Sequence, residues 1–509
     1  FIMSLLRKAS IVTTPTAYEN GKILSVKPNT SVGDFDFTRN SSATRVNSQG
    51  LIEDMQILSS NLVSNGDFAT DSDWILSANA DIQNNGLNLN GSGTFVLGQQ
   101  PLFSSGLYNG KKVKLTYEVV ANDLIGTGNL RVGGYSGGSL FPSLINLDES
   151  IGNHTIYTTI NSTGSNYVLD LYITGGYTSG KITITNISVI EITDDTNLPR
   201  IDYTGGEGHW LFEPQSTNLL TYSEDFSQWN VNGDTAIESG YLAPDGTNNA
   251  YKVSGTSSAI VFDASLLTTT TRSIYARTVS GTGQAHLCSF NGNSNNLFTI
   301  TEQWQRFEVN SATTTGVINF YAVDFRNQTN LSEIILWGAN ATNEQNFATS
   351  YIPTSGSQIT RLADAAFGAG SSDLINSTEG VLYLEVSRFA NDILNTAISI
   401  NQSGNFSNSV SIRFRSTENL IYGLIYSSGN ISTLMQYTLS DDTQFNKIAI
   451  SYAENNFALW VNGIEVLTDT SGNAPIGLNN LSFNLGTEPF YGKTKCVAVF
   501  KEALNNDEL

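Results

Sequence analysis

Charged side chains are scarce in this sequence: Asp, Glu, Lys and Arg together make up 14% of its 509 residues, about half the usual share. Of these, 46 are acidic and 25 basic, a formal net charge of -21. A nucleic-acid backbone is bound by clustered Lys and Arg that displace counterions. Here only Arg7-Lys8 and Lys111-Lys112 adjoin, so nucleic acid is excluded as a partner, and an anionic membrane is disfavoured on the same ground. Cysteine is nearly absent. Cys288 and Cys496 cannot supply a disulfide framework and read as two separate buried thiols, which leaves stability to hydrophobic cores. The three histidines, His154, His209 and His286, have no metal-ligand spacing, and neither His-Glu-x-x-His nor Cys-x-x-Cys occurs. No run reaches the roughly 20 apolar residues of a membrane span, and no basic stretch leads into an apolar segment with a small-residue cleavage site. The sequence therefore predicts neither membrane insertion nor a secretory leader.

What replaces the missing charge is Ser, Thr, Asn and Gly, together with 21 Tyr and 25 Phe. Thr and aromatic residues suit pleated surfaces, while Asn, Gly and Ser make bends. The chain is too long for one core, and three domains of roughly 130 to 160 residues follow from its length. A repeated phrase marks two of them. Asn61-Leu-Val-Ser-Asn-Gly-Asp-Phe68 is followed by Trp74, and Asn218-Leu-Leu-Thr-Tyr-Ser-Glu-Asp-Phe226 by Trp229. In each copy the Phe and Trp belong in a sandwich core, and the polar stretch bends the chain between them.

Residues 1–56 are too short and too interrupted for a core of their own, and are expected to lie as an extended arm or hairpin against a partner or against the next domain. Residues 57–197 carry period-two segments such as Lys112-Val-Lys-Leu-Thr-Tyr-Glu-Val119, Tyr167-Val-Leu-Asp-Leu-Tyr-Ile173 and Lys181 to Ile192, the pattern of half-buried strands. Residues 198–216 form a Gly- and Pro-containing linker whose Tyr203, Trp210 and Phe212 should pack along a domain boundary. Residues 217–358 repeat the first scheme, with Leu331 to Gly338 matching the earlier closing strand. Residues 359–509 have another rhythm, with strands at Gly380-Val386, Val410-Arg415, Leu420-Tyr426, Lys447-Tyr452 and Asn456-Gly463 and a tight turn at Asn462-Gly463. A short helix is expected to start near Glu502.

Catalytic chemistry has little to work with. A glycan hydrolase would use two carboxylates about 5 to 9 Å apart, and neither Glu385 nor Glu207 and Glu213 beside Trp210 pairs with another acid on one strand face. The chain is read as not an enzyme, with no cofactor beyond a calcium ion that Asp67, Asp71 and Asp73 would hold in a loop. Sugar contact needs exposed aromatic faces beside amides and carboxylates. Tyr135 and Tyr177 lie in Gly-rich turns, and Tyr422 and Tyr426 share one strand parity with Asn430 beyond; these are the candidate carbohydrate contacts.

Three segments carry a family likeness. Gly33-Asp-Phe-Asp-Phe-Thr-Arg-Asn-Ser-Ser-Ala-Thr-Arg-Val-Asn-Ser-Gln-Gly-Leu-Ile-Glu53 closely resembles a segment near the start of many bacteriophage virion structural proteins, notably of phages of marine and Bacteroidetes-type hosts. Pro199 to Tyr203, Leu211 to Phe226 and Ser350-Tyr-Ile-Pro-Thr-Ser-Gly356 are similar to the same proteins. The middle modules resemble jelly-roll carbohydrate-binding modules. The third block, through Phe457-Ala-Leu-Trp-Val-Asn-Gly463, Tyr491-Gly-Lys and Val499 to Leu504, resembles concanavalin A-like and laminin-G-like sandwiches. The fold class expected is thus all-β: tandem β-sandwich (jelly-roll) domains, then a concanavalin A-like sandwich, with an extended N-terminal arm. The resemblance implies a spike, head fibre or tail fibre on the virion surface, a homo-oligomer with the trimer favoured. It implies an arm that meets capsid, portal or tail components through Asp34, Phe35, Phe37, Arg39 and Arg45, and outer modules that touch host surface glycans. A dedicated glycan-binding adhesin is the alternative, and a polysaccharide depolymerase the third reading.

Overall fold

The computed structural model describes residues 7–103, 108–135, 139–141, 144–161, 167–256, 259–262, 269–289, 296–313, 319–326, 329–390 and 394–504. Among them regular structure is almost wholly β, and no helix is long and apolar enough to cross a membrane.

The duplication signalled by the repeated phrase extends to two runs of five strands. In the first module one sheet runs in the order Ile145–Asn146, Leu130–Val132, Tyr167–Ile173, Val96–Phe103, Ile75–Leu76, and the other contains Gly152–Thr159, Lys112–Asn122, Lys181–Asp194, Leu87–Asn90 and Ala80–Ile82. In the second module Leu297–Ile300, Gly283–Ser289, Phe320–Asp324, Ala259–Phe262 and Asn230–Val231 reproduce the first order. Gln305–Thr313, Thr269–Arg277, Glu333–Thr342, Ala250–Ser254 and Ala236–Tyr241 reproduce the second. The alternation of Lys112–Asn122 sends Val113, Leu115, Tyr117 and Val119 inward and Lys112, Lys114 and Glu118 outward, as a half-buried strand requires.

The repeated phrase does the same mechanical work in both copies. Asn61 Oδ1 accepts from the amides of Val63 (3.1 Å) and Val189 (3.0 Å), and Asn218 Oδ1 from Leu220 (3.2 Å) and Ala341 (3.1 Å). The next amide, Leu62 or Leu219, donates to the Val189 or Ala341 carbonyl, each at 2.8 Å. Each Asn thereby makes an Asx turn and ties it to the closing strand of its module. The Trp indoles match as well: Trp74 Nε1 donates to Asn65 O (3.2 Å) and Trp229 Nε1 to Tyr222 O (2.9 Å), with Phe68 and Phe226 packed alongside at 5.1 and 4.9 Å between ring centres. The two Asn residues differ in burial. Asn218 is fully enclosed and also donates to Ala339 O and Ile352 O, whereas Asn61 is exposed. Asn218→Ala removes four bonds from a buried side chain and is expected to cost about 2 kcal/mol, while Asn61→Ala removes two from an exposed one and should cost under about 1 kcal/mol. Urea unfolding of the two variants checks the ordering, and equal losses would break the account.

The third module packs the sheet holding Glu379–Ser387, Asn446–Ala453, Asn456–Val461 and Ile464–Asp469 against one holding Asn430–Thr438, Leu420–Ser427, Asn405–Phe414 and Thr396–Gln402. Leu382, Leu384, Ile448 and Ile450 from the first meet Ile398, Ile400, Val410 and Ile412 from the second. The expected tight turn is present, with Asn462 at φ 52° and Gly463 at φ 82°. Of the expected C-terminal helix, residues 505–509 lie outside the described residues, and Lys501 to Leu504 are not helical.

The expectation that needs correcting is the extended arm. Ala9–Thr13 pairs antiparallel with Gly492–Phe500, from Ala9 opposite Phe500 to Thr13 opposite Val497. Phe35–Thr38 pairs with Ala365–Phe367, and the Phe35 ring meets Phe483 at 5.1 Å inside the third core. The linker strand His209–Phe212 adds to the other end of Gly492–Phe500, with Trp210 and Phe212 buried in the same core. A short apolar segment without its own core is stable only where another core accepts it, and here it is the third module of the same chain. Phe35, Phe37 and Arg39 are therefore buried internal residues and cannot serve as exposed anchors to another protein. Asp34 accepts from the Ser25 amide (2.7 Å), and Arg45 pairs with Glu53 (2.7 Å).

Candidate functional site

The segments that carry the virion resemblance converge on one buried junction between the modules. Arg39, Arg200 and Arg361 surround Asp364 and Glu213, all with side chains no more than 2% exposed. Arg200 spans the two acids, donating to Glu213 Oε2 (2.6 Å) and Asp364 Oδ2 (2.5 Å). Arg39 reaches Asp364 Oδ1 (3.1 Å), and Arg361 donates to Glu213 and to Pro214 O. Ser350 closes the ring, its amide and hydroxyl both donating to Glu213, at 2.7 and 2.6 Å. Burial alone would raise the Glu213 carboxyl, but the Arg361 and Arg200 guanidiniums outweigh it and hold it down at about 2. Each of the five charged side chains is ion-paired with at least one of the others.

A second acidic group lies where the first and second modules meet. Glu224 accepts from the Tyr351 hydroxyl (2.7 Å) and Asn249 Nδ2 (2.9 Å). Burial and then the nearby Asp245 push its carboxyl up to about 8. Asp54, hydrogen-bonded by Tyr157, and Asp245 are both raised, in each case by burial first. An acid whose proton is held more tightly in the folded chain than in the unfolded one weakens folding as pH rises between the two values, here from about 4.5 to about 8. Glu224→Gln should therefore raise the melting temperature at pH 8 and leave it nearly unchanged at pH 4. Calorimetry at the two pH values decides this, and a gain of equal size at both would contradict it.

Ligand chemistry concentrates instead on the outer face of the first module, on the sheet built around Tyr167–Ile173. Alternation there sends Tyr167, Leu169, Leu171 and Ile173 into the core and Asp170 and Tyr172 to the other side. Arg131 stands opposite Tyr172 on one neighbouring strand and Leu97 on the other. Phe95, just before the core residue Val96, and Tyr135, beyond the Gly133-Gly134 turn, close over Tyr172. The ring centres are 5.9 Å apart for Phe95–Tyr172, 5.4 Å for Tyr135–Tyr172 and 6.2 Å for Phe95–Tyr135. Phe95 is 53% and Tyr135 49% exposed, while Tyr172 beneath them is 2% exposed. The result is an aromatic platform with one buried ring supporting two exposed ones.

Polar groups border it. Arg131 Nε donates to Asn146 Oδ1 (2.9 Å) on the adjacent strand. Asp170, wholly buried, accepts from Gln99 Nε2 (2.5 Å) and from the Ser139 hydroxyl. Exposed rings beside planar amide and guanidinium donors form the combination that stacks on a sugar face while hydrogen-bonding its hydroxyls.

Of the residues singled out from sequence, Tyr135 belongs to this platform. Tyr177 does not: its ring is buried in the first core, and its hydroxyl donates to the Glu149 carboxylate at 2.6 Å. Tyr422 and Tyr426 share the outer face of the third module, Tyr422 beneath the Arg415 guanidinium at 4.8 Å, with Asn430 in the hairpin beyond. Asp67 and Asp73 are used locally, by the Ala69 amide and the Ser72 hydroxyl, and Asp71 is exposed. Among the described residues no three His, Cys, Asp or Glu side chains come together to hold a metal ion. The histidines serve packing; His154, for example, stacks on Tyr117 at 4.9 Å. Cys288 and Cys496 are unbridged. Sequence reasoning missed Phe95, Arg131 and Tyr172. Strand parity was the available signal, since Arg131 lies between the core residues Leu130 and Val132 and Tyr172 between Leu171 and Ile173.

No protein-family model and no curated protein matches the chain. Solved structures with partial likeness include NanB in complex with Optactamide, at 18% identity over 27% of this chain and 24% of that one, TM-score 0.23. The sialidase CBM40 of Ruminococcus gnavus bound to α2,3-sialyllactose overlaps at 16% identity over 28% and 84%, TM-score 0.24. The tandem CBM22-1-CBM22-2 domain of Paenibacillus barcinonensis Xyn10C does so at 13% identity over 56% and 97%, TM-score 0.19. Overlaps of this depth carry no functional inference, which rests on the residues above.

Proposed function

We propose that this protein is a non-catalytic glycan-binding protein of adhesin type, and that the first module binds carbohydrate on the Phe95–Tyr135–Tyr172 platform. The observation that carries this reading is the pair of half-exposed rings fixed over a buried third, with Arg131, Asn146 and Gln99 within the same sheet face. Burying one ring face against a pyranose contributes about 1–1.5 kcal/mol, and the surrounding donors and acceptors select among hydroxyl configurations. The two repeated sandwiches are read as jelly-roll carbohydrate-binding modules, and the third as a concanavalin A-like module that receives the segments at both sides of the repeat. The phage-particle setting rests on the sequence resemblance alone. Here the resembling segments build the charged junction, a scaffold role that suits an adhesin as well as a virion fibre. A glycan array probed with the whole protein and with the Phe95→Ala/Tyr135→Ala variant tests the proposal. Loss of the uncharged-glycan signals in the double variant supports it, and uncharged-glycan signals that all survive the double change overturn it.

A further inference from the structure

A cleft with about 810 Å³ of room lies away from the platform, where the second module, the third module and the Thr44–Asp54 hairpin face one another. Its volume is within the range of small-ligand sites. Phe347 of the second module and Phe389 of the third stack across the boundary at 4.9 Å and 13°, and Tyr203 and Tyr275 add further ring edges to the wall.

The cleft is lined by charges of both signs: Arg45, Arg306, Arg388 and Lys493 stand with Asp202, Glu213 and Glu308, in a protein of net charge -21. Arg388 is held by Asp442 (3.0 Å), and Arg306 lies 3.5 Å from Glu308. Among the described residues no carboxylate comes within ion-pairing distance of Lys493, although the neighbouring Lys495 pairs with Glu207. A partly buried ammonium that makes no ion pair among the described residues, lining the same cleft as a stacked aromatic pair, suits a ligand that brings its own anion and an apolar face.

We infer that this cleft is a second saccharide site, for a carboxylate-bearing oligosaccharide, with Lys493 meeting the carboxylate and the Phe389 edge meeting the sugar ring. The inference takes its ligand class from the proposed function but uses none of the platform residues. The test is isothermal titration of the whole protein with oligogalacturonate and oligosialate, each beside its uncharged methyl ester, using wild type, Lys493→Glu, Phe389→Ala and the platform double variant. The expected result is at least tenfold preference for one of the acids over its ester, lost in Lys493→Glu, weakened in Phe389→Ala and retained in the platform variant. Thermal melts check that each variant is folded. No preference for either acid, or a preference that Lys493→Glu leaves intact, overturns the inference. Loss in the platform variant alone assigns the binding to the first module and overturns the cleft while sparing the proposed function.

Discussion

Replacing Glu213 by Gln is expected to remove about 3–5 kcal/mol of stability, the loss typical of breaking a buried ion pair from one side. The wild-type junction holds three guanidiniums against two carboxylates, so one positive charge is already carried by hydrogen bonds to carbonyls, such as those of Arg39 to Thr196 and Leu198 and of Arg361 to Pro214. Glu213→Gln adds a second uncompensated charge in a site whose side chains are almost wholly buried. It would loosen the linker, the second module and the start of the third block at once, because Glu213 holds Arg200, Ser350 and Arg361. The double variant Glu213→Gln/Arg361→Gln restores the original balance and should lose clearly less than the sum of the single changes, a coupling that denaturant unfolding measures. Strict additivity would mean that the charges do not act as a unit. The same carboxylate gives the acid limit its sign. Because folding lowers its titration from about 4.5 to about 2, its contribution is complete above pH 4.5 and is lost as pH falls from there towards 2.

Binding should respond as strongly at the platform. Removal of both exposed rings by Phe95→Ala/Tyr135→Ala is expected to weaken glycan binding about 100-fold, two contributions of about 1–1.5 kcal/mol each. Because both rings are half in solvent and Tyr172 keeps its place in the sheet, the melting temperature should move little. Tyr172→Ala is the informative contrast. It withdraws the support under both rings and opens a gap between Leu97 and Arg131, so affinity and stability should fall together. Titration calorimetry and a melt on each variant separate the two patterns, and a double variant that binds like wild type would remove the platform from consideration.

Much of the fold could be read from alternation. Tyr167 to Ile173 is a strand with the bounds its pattern suggests, and the Asn-Leu phrase located both module openings because its Asn makes a bond pattern that few other side chains can. Parity fails where the partner is remote. Nothing local in Ile11, Val12 or Phe35 says that their partners are Val499, Ala498 and Phe483, so a segment that looked like a free arm became part of a core. The glycines around Tyr135 and Tyr177 look alike in sequence. What separates them is Glu149, which draws the Tyr177 hydroxyl inward, and that contact spans 28 residues. The buried charges were hidden for the same reason: Arg39 and Asp364 are separated by 325 positions.

The pairing of Ala9–Thr13 with Gly492–Phe500 sets an order of events during synthesis. Ser10 Oγ donates to a carbonyl 489 residues away. At about 5–20 residues per second the early strand leaves the ribosome about 25–100 s before its partner exists. Both repeated modules, each closed within its own stretch of chain, can fold in that interval. The third cannot, and the edge of Ala9–Thr13 that faces Gly492–Phe500 has no partner until that strand has been made. Gly492–Phe500 is thus the strand that completes the enclosure of Ala9–Thr13, and a chain stopped a few residues before Val497 would leave Ala9–Thr13 without its partner.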